Sequence, residues 1–266
     1  DITLRAMDVL RDADVLVAED TRSLRKLMDI HSIPLRGRKI ISYNDHNGSS
    51  KRPLILSEIA LGKSVSYSSE AGSPLVADPG YQLGREVTNS GYRVVTVPGA
   101  CAVIAALTVS GLPTNQFFYA GFLPNSKSAR QKFLKLVENI PGTLVFYESP
   151  KRLNKALIDM LFILGPERPV VIARELTKKF ENVQIGGVEK LLSYYEKKPA
   201  RGEIVVLIAA GKEVQINELD LEAELQSAMQ TLRVKDAADA VAGAFGLPRR
   251  DIYQIALKIQ RRNKIN

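Results

Sequence analysis

The chain has 266 residues, 45% of them apolar and 25% charged, with a net charge of +8, one cysteine, two histidines and no tryptophan. That length admits one large domain or two to three small ones, and no apolar run approaches the roughly 20 residues of a membrane-spanning helix. A lone Cys101 excludes an internal disulfide and a cysteine-rich metal site, and His31 and His46 are too few for a multi-histidine zinc centre, so no metal is expected. The same cysteine count fits a reducing cytoplasm. The positive charge points to a polyanionic partner, nucleic acid first. The 6% aromatic content disfavours a base-stacking platform.

In chain order, residues 3–11 read as a helix, 14–18 as a short buried strand, 23–28 as a helix and 39–42 as a strand. A helix over 52–61, a strand over 64–67, a helix over 81–90 and a strand over 92–97 continue the alternation. Strands alternating with helices imply a mainly parallel sheet covered on both faces. Pro98-Gly99 then breaks the chain ahead of a helix rich in small residues from Ala100 to Leu107. Its free N–H groups would stand at the carboxyl end of a strand. Those alanines equally suit close helix packing.

Gly111 to Asn115 reads as a linker into a second α/β block. Its strands are expected at 117–122, 143–147, 169–173, 183–185 and 203–209, and its helices at 128–139, 151–163 and 188–195. A hairpin-like stretch over 180–187 makes a mixed sheet the expectation here. After Gly211 three helices are expected, over 221–232, 237–245 and 251–260, with Gly246-Leu247-Pro248 between the last two. This resembles a helix-turn-helix. Arg249, Arg250, Lys258, Arg261, Arg262 and Lys264 make its end basic, which suits RNA phosphates and equally an ordinary solvated face. The expected domains are therefore 1–112, 113–212 and 218–266.

The stretch from Ser68 to Gly80 follows one of these strands and precedes a helix, and ligands bind at such loops in open α/β sheets. Alone it also fits an ordinary strand-to-helix turn. Its company is more specific. Ala18-Glu19-Asp20-Thr21-Arg22, Asp45-His46-Asn47, Glu70 to Gly80, Pro98 to Ala102, Phe146 to Ser149, Ala173 to Lys178 and Arg201-Gly202-Glu203 occur in order. With that set, nearly the whole chain resembles the bacterial 16S ribosomal RNA (cytidine-2′-O)-methyltransferase I family, within the tetrapyrrole methylase-like, class III S-adenosylmethionine methyltransferases.

The resemblance implies two α/β domains with S-adenosylmethionine in the cleft between them, and a small helical extension. It implies a homodimer without a membrane role, acting on a cytidine of the small ribosomal subunit. The family's first strand and its Thr-Pro-Ile-Gly-Asn loop would precede Asp1, so the first sheet is expected to lack one strand. The family's usual Ser-Asp-Ala-Gly-Thr-Pro is here Ser69-Glu70-Ala71-Gly72-Ser73-Pro74, which keeps the charge and moves it out by one methylene.

Matched by position in the family motifs, Glu70, Gly72, Ser73, Cys101, Ala102, Tyr147, Glu148, Ala173 and Gly202 are the expected cofactor contacts. Cys101 reads as a small packing residue rather than a nucleophile, because no activating histidine adjoins it. Arg22, Asn47, Arg174, Lys178, Arg249 and Arg250 are the expected RNA contacts, since arginine grips phosphate bidentately. His46, Glu19 and Glu175 are alternative general bases, with none assigned. An imidazole suits proton transfer near neutrality, yet His46 equally fits a capped turn. Glu19-Asp20-Thr21-Arg22 equally fits a helix start. Alignment without a dedicated base also stays open. Two other readings stand beside this one: a class III enzyme acting on a tetrapyrrole or a protein side chain, and a non-catalytic RNA-binding relative. The absence of Gly-Asp-Pro followed by a Phe-Gly-Arg-Gly-like stretch weighs against the tetrapyrrole.

Overall fold

A computed structural model describes residues 1–211, 218–245 and 247–265. The chain divides into two compact units, Asp1–Gly211 and Lys212–Asn266.

The first sheet is parallel and three-stranded, with β1 (Val15–Ala18) between β2 (Ile40–Ser42) and β3 (Val65–Ser68). All four residues of β1 are buried, because helices cover both faces. Leu16 and Ala18 face Leu10 of α1 (Leu4–Asp12) and Leu24 and Met28 of α2 (Thr21–Ile30). Val15 and Val17 face Ile55 of α3 (Gly48–Ala60) and Leu83 and Val87 of α4 (Tyr81–Asn89). A strand covered twice reads as a continuous apolar run, and Val-Leu-Val-Ala is one. Asp20 caps α2, accepting the N–H groups of Arg22 and Ser23 at 2.6 and 3.1 Å.

One expected strand does not form. Residues 92–97 belong to no ladder, and Val94 and Val95 are 55% and 65% exposed. The run Val-Val-Thr-Val has strand propensity, but a strand needs a neighbour for its N–H and C=O groups, and this stretch pairs with none. α5 (Ala102–Ser110) follows it.

The second sheet has five strands in the order β4-β5-β8-β6-β7. These are β4 (Phe117–Phe122), β5 (Thr143–Glu148), β6 (Pro169–Arg174), β7 (Asn182–Gly187) and β8 (Ile204–Ile208). β4 and β5 are parallel and the other pairs antiparallel, so the sheet is mixed as expected. One face, with Leu144, Phe146, Val170, Ile172 and Val206, packs under α6 (Lys127–Val137), α7 (Pro150–Leu164) and α8 (Val188–Lys197). The other face, with Val145, Val171, Val205 and Leu207, packs against Val103, Ala106 and Leu107 of α5. The small residues of α5 allow that close approach. In this register Glu148 and Arg174 both lie opposite Ile204, which brings the ends of β5 and β6 to the start of β8.

The second unit holds α9 (Glu218–Thr231), α10 (Val234–Phe245) and α11 (Arg249–Ile265) around Leu225, Ala238, Ile252 and Ala256. These are the three helices expected there, counted among the described residues. The expected breaker Gly246, the basic side chain of Lys264 and the junction over 212–217 lie outside the described residues. Among the described residues no helix is long and apolar enough to cross a membrane.

Candidate functional site

The loop after β3 is held from several sides. Ser69 Oγ donates to the Gly72 carbonyl at 3.2 Å, and Ser73 Oγ donates to the Ala100 carbonyl at 3.3 Å, tying the loop to the chain ahead of α5. Tyr67 donates its hydroxyl to the Pro79 carbonyl at 2.8 Å. Gly72 has φ of +69°, open to glycine at little cost, whereas Leu75 and Ala77 hold +71° and +59° against their Cβ atoms. A Cβ at Gly80, where φ is +121°, would come within 2.6 Å of the Tyr67 ring.

Facing that loop are the ends of β5 and β6 and the start of β8. Tyr147 packs edge-on against Tyr119 and Phe122, with ring centroids 5.3 and 5.6 Å away, and burial pushes its phenol up. Glu148 is 2% exposed. Its Oε1 accepts the Ser149 N–H at 2.8 Å and lies 3.2 Å from Arg152 Nε, whereas its Oε2 has no hydrogen-bond partner. Burial raises this carboxyl against the pull of Ser149, Arg152 and Arg130. Arg130 and Asp159 form a buried ion pair behind it, and Gln131 donates to Asp159 at 2.7 Å.

Glu175, with φ of +51°, and Glu203 clasp each other through their backbones. The Glu175 N–H donates to the Glu203 carbonyl at 3.0 Å, and the Glu203 N–H donates to Glu175 Oε1 at 2.9 Å. Lys178 Nζ stands 3.0 Å from a carboxylate oxygen of each. The Glu203 N–H, then Lys178, hold the Glu175 carboxyl below its usual range. Gly202, at φ +79°, is needed here, because a Cβ would lie 2.3 Å from the Glu175 carboxyl carbon.

Between these two walls is a cavity of about 390 Å³. Small residues line much of it, including Gly72, Ser73, Cys101, Ala102, Ala173 and Gly202. Cys101 stands at the N-cap of α5 and does not cap it with its own side chain, so backbone N–H groups stay free there, whereas at the start of α7 Pro150 removes one N–H and the Arg152 N–H donates to the Ser149 carbonyl. Asp78, Glu148, Glu175 and Glu203 line the cavity, Glu148 with its side chain fully buried, and among the described residues no lysine or arginine lines it. That wall suits a ligand carrying positive charge beside hydrogen-bond acceptors and disfavours a polyphosphate. Burial, followed by the charges of Glu19, Glu203 and Glu70, raises the Asp78 carboxyl to about 6.

Two regions of the sequence match known family models. Residues 1–192 match the Tetrapyrrole (Corrin/Porphyrin) Methylases, and residues 216–260 match the RsmI C-terminal HTH domain. The protein named ribosomal RNA small subunit methyltransferase I in Escherichia coli O157:H7 is 39% identical over 264 residues, covering 98% of this chain and 91% of that protein. Its namesake in Mesorhizobium japonicum is 38% identical over 261 residues, covering 98% of this chain and 88% of that protein. The chain belongs to the ribosomal RNA small subunit methyltransferase I family. Uroporphyrin-III C-methyl transferase from Thermus thermophilus, complexed with S-adenyl homocysteine, has the same fold. It matches with a TM-score of 0.51 at 19% identity, over 81% of this chain and 93% of that one. The expected tetrapyrrole methylase fold with a helical C-terminal region is borne out.

In this member of the ribosomal RNA small subunit methyltransferase I family, eight of the nine expected cofactor contacts line the one cavity, Glu70 being the ninth. Glu70 is exposed, and its backbone N–H donates to Glu19 Oε2 at 3.1 Å. Of the three candidate bases only Glu175 lines the cavity. Glu19 is spent on the Glu70 backbone. His46 is exposed in a turn where the Asn44 side chain accepts the N–H groups of His46 and Asn47, and Asn47 Oδ1 accepts the N–H of Asn44.

The expected RNA contacts lie outside the cavity lining. Arg22 is exposed in the first turn of α2. Arg174 donates to the Arg201 carbonyl at 3.3 Å, and Lys178 is engaged by Glu175 and Glu203. In the second unit Arg249 pairs with Asp239, Arg250 is exposed and Arg262 lies 3.3 Å from Glu222. Asp78, Phe122 and Glu203, outside the site residues expected from the sequence, also line the cavity. The sequence signal for Asp78 is an acid directly before Pro79-Gly80, whose Pro79 carbonyl is pinned by Tyr67.

Proposed function

We propose that this protein transfers the methyl group of S-adenosylmethionine to the ribose 2′-hydroxyl of a cytidine in 16S ribosomal RNA. The small-residue cavity lined by acidic residues, and among the described residues by no basic side chain, supports this reading within the family. Gly72, Ser73, Cys101, Ala102, Tyr147, Glu148, Ala173 and Gly202 would hold the cofactor there, small residues giving it access to backbone groups. When bound, the cofactor supplies a methyl group made electrophilic by its sulfonium. The protein's share is alignment of donor and acceptor, which accounts for much of the rate in such displacements.

Arg22, Asn47, Arg174 and Lys178, with Arg249 and Arg250 of the second unit, are the proposed RNA contacts. Residues 1–112 and 113–212 are proposed as the two domains that carry the site, in a cytoplasmic homodimer. Small subunits purified from a strain lacking the enzyme test the activity. Radiolabel from the cofactor is expected in 16S RNA, and mass spectrometry is expected to place it on a cytidine ribose. Label on a base, or none in any RNA, overturns the reading.

A further inference from the structure

A ribose hydroxyl is a weak acid, so its proton must leave as the oxygen attacks. Four acidic residues line the cavity, three of them with their carboxylates engaged elsewhere. Glu175 accepts from the Glu203 N–H and from Lys178, which stabilise its charge and weaken it as a base. Glu203 shares Lys178 and turns most of its side chain to solvent. Glu148 is buried against Arg152 and the Ser149 N–H, at the start of α7.

Asp78 differs on each count. Among the described residues its carboxylate enters no hydrogen bond and no ion pair. It is half-buried and lines the cavity. The backbone leading to it is set by left-handed Leu75 and Ala77, and the Pro79 carbonyl after it is pinned by Tyr67. Strained backbone of this kind persists where the surroundings over-determine it, and it gathers at functional sites. We infer that Asp78 is the general base that accepts the proton of the ribose 2′-hydroxyl.

This assignment rests on the methyl-transfer reading above. In the step, the bond between O2′ and the methyl carbon forms while the carbon–sulfur bond breaks, its electron pair staying on sulfur. The hydroxyl proton passes to a carboxylate oxygen of Asp78, and solvent takes it up after product leaves. The groups facing Asp78 agree with this role. Glu19 after β1, Glu70 in the same loop and Glu203 before β8 surround it with negative charge, Tyr147 stands on the far wall, and the phenols of Tyr67 and Tyr119 lie near enough to feel its charge. Burial and those charges raise its proton affinity to a pKa of about 6. A base works best when its pKa lies near the working pH.

The test compares wild type with Asp78→Asn and Asp78→Glu on small subunits at saturating cofactor. Asp78→Asn is expected to lower kcat by roughly 10²–10⁴-fold while the KM for subunits stays within about threefold. The wild-type kcat is expected to rise with pH through a limb between about 5 and 7 that vanishes in Asp78→Asn and returns, at lower amplitude, in Asp78→Glu. Calorimetry with S-adenosylhomocysteine is expected to give similar affinity for wild type and Asp78→Asn. Carbon-13 NMR is expected to show the Asp78 carboxyl titrating in the same window without any turnover. A kcat for Asp78→Asn within tenfold of wild type, or a limb that survives the substitution, overturns the assignment. So does loss of S-adenosylhomocysteine binding in step with kcat, which would make Asp78 a cofactor contact. Should Asp78→Asn not fold, a wild-type profile flat from about pH 5 to 7 overturns it alone. Absence of label with wild type would instead bring down the methyl-transfer reading itself.

Discussion

The two walls of the cavity are built on opposite principles. The wall from the five-stranded sheet rests on strands with fully buried side chains, and three of its carboxylates have cationic partners: Glu148 with Arg152, and Glu175 and Glu203 with Lys178. The wall from the loop after β3 is held by side chain-to-backbone hydrogen bonds and left-handed residues, and its one carboxylate in the cavity, Asp78, has no partner among the described residues. Negative charge is thus paired where the structure must be rigid and left unpaired where a proton could be moved. Removing a carboxylate should therefore have opposite consequences on the two sides.

The largest effect is expected behind the sheet wall. Asp159→Ala strands Arg130 as a buried, unpaired charge, and loss of one partner from such a pair costs about 3–5 kcal/mol. Urea denaturation is expected to show that loss, and a change below about 1 kcal/mol would mean the pair is as dispensable as a surface one.

Gly202→Ala comes next. The new methyl group meets Glu175 and sits at a φ that L-residues resist, so the clasp between Glu175 and Glu203 must open. S-adenosylhomocysteine affinity is expected to fall by about tenfold or more, roughly 1.4 kcal/mol. Unchanged affinity would show that the clasp does not shape the cavity.

Asp78→Asn is expected to stabilise the protein. Because the folded-state carboxyl binds its proton more tightly than the ordinary value of 3.8, its favourable contribution is complete below about pH 4 and is lost as pH rises through about 6. Asparagine carries no such term, so the variant should gain at pH 8 and not at pH 3.5. The full shift corresponds to about 3 kcal/mol, and solvent screening at a half-buried site brings the expected gain to on the order of 1 kcal/mol. A melting temperature that does not rise at pH 8 would remove the contrast between the walls.

The smallest effects belong to the periphery. Arg22→Ala or Arg174→Ala is expected to weaken binding of small subunits a few-fold and to reduce the salt slope by about one, with little change in cofactor affinity. Equal losses of both affinities would argue against a role on RNA.

Much of this molecule could be read without coordinates. The alternation from Val15 to Tyr67 is legible where a strand is an apolar run, as Val-Leu-Val-Ala of β1 is, and where a helix has a buried stripe, as Leu24 and Met28 give α2. Asp20 as a cap is legible because its carboxylate lies two and three residues from the N–H groups it accepts. The sequential order of the motifs was enough to place the chain in its family. Residues 92–97 show the limit: strand propensity is local, but a strand exists only where another offers its hydrogen-bonding edge. The turn at Asp45-His46-Asn47 shows another, since a histidine in a hydrogen-bonded turn has the same local sequence as one in a site.

What the sequence determined by itself was the set of elements, the chemistry available in each loop and the family, because these depend on neighbours along the chain. What only the tertiary structure decided was which charges meet. Glu175 and Glu203, 28 residues apart, share Lys178, Glu19 reaches the Glu70 backbone across 51, and Asp78 is left alone among carboxylates. The loop from Ser68 to Gly80 was recognisable as a ligand-type loop from its composition. That its working group is the aspartate rather than the preceding glutamate follows from burial and pairing, which no spacing along the chain encodes.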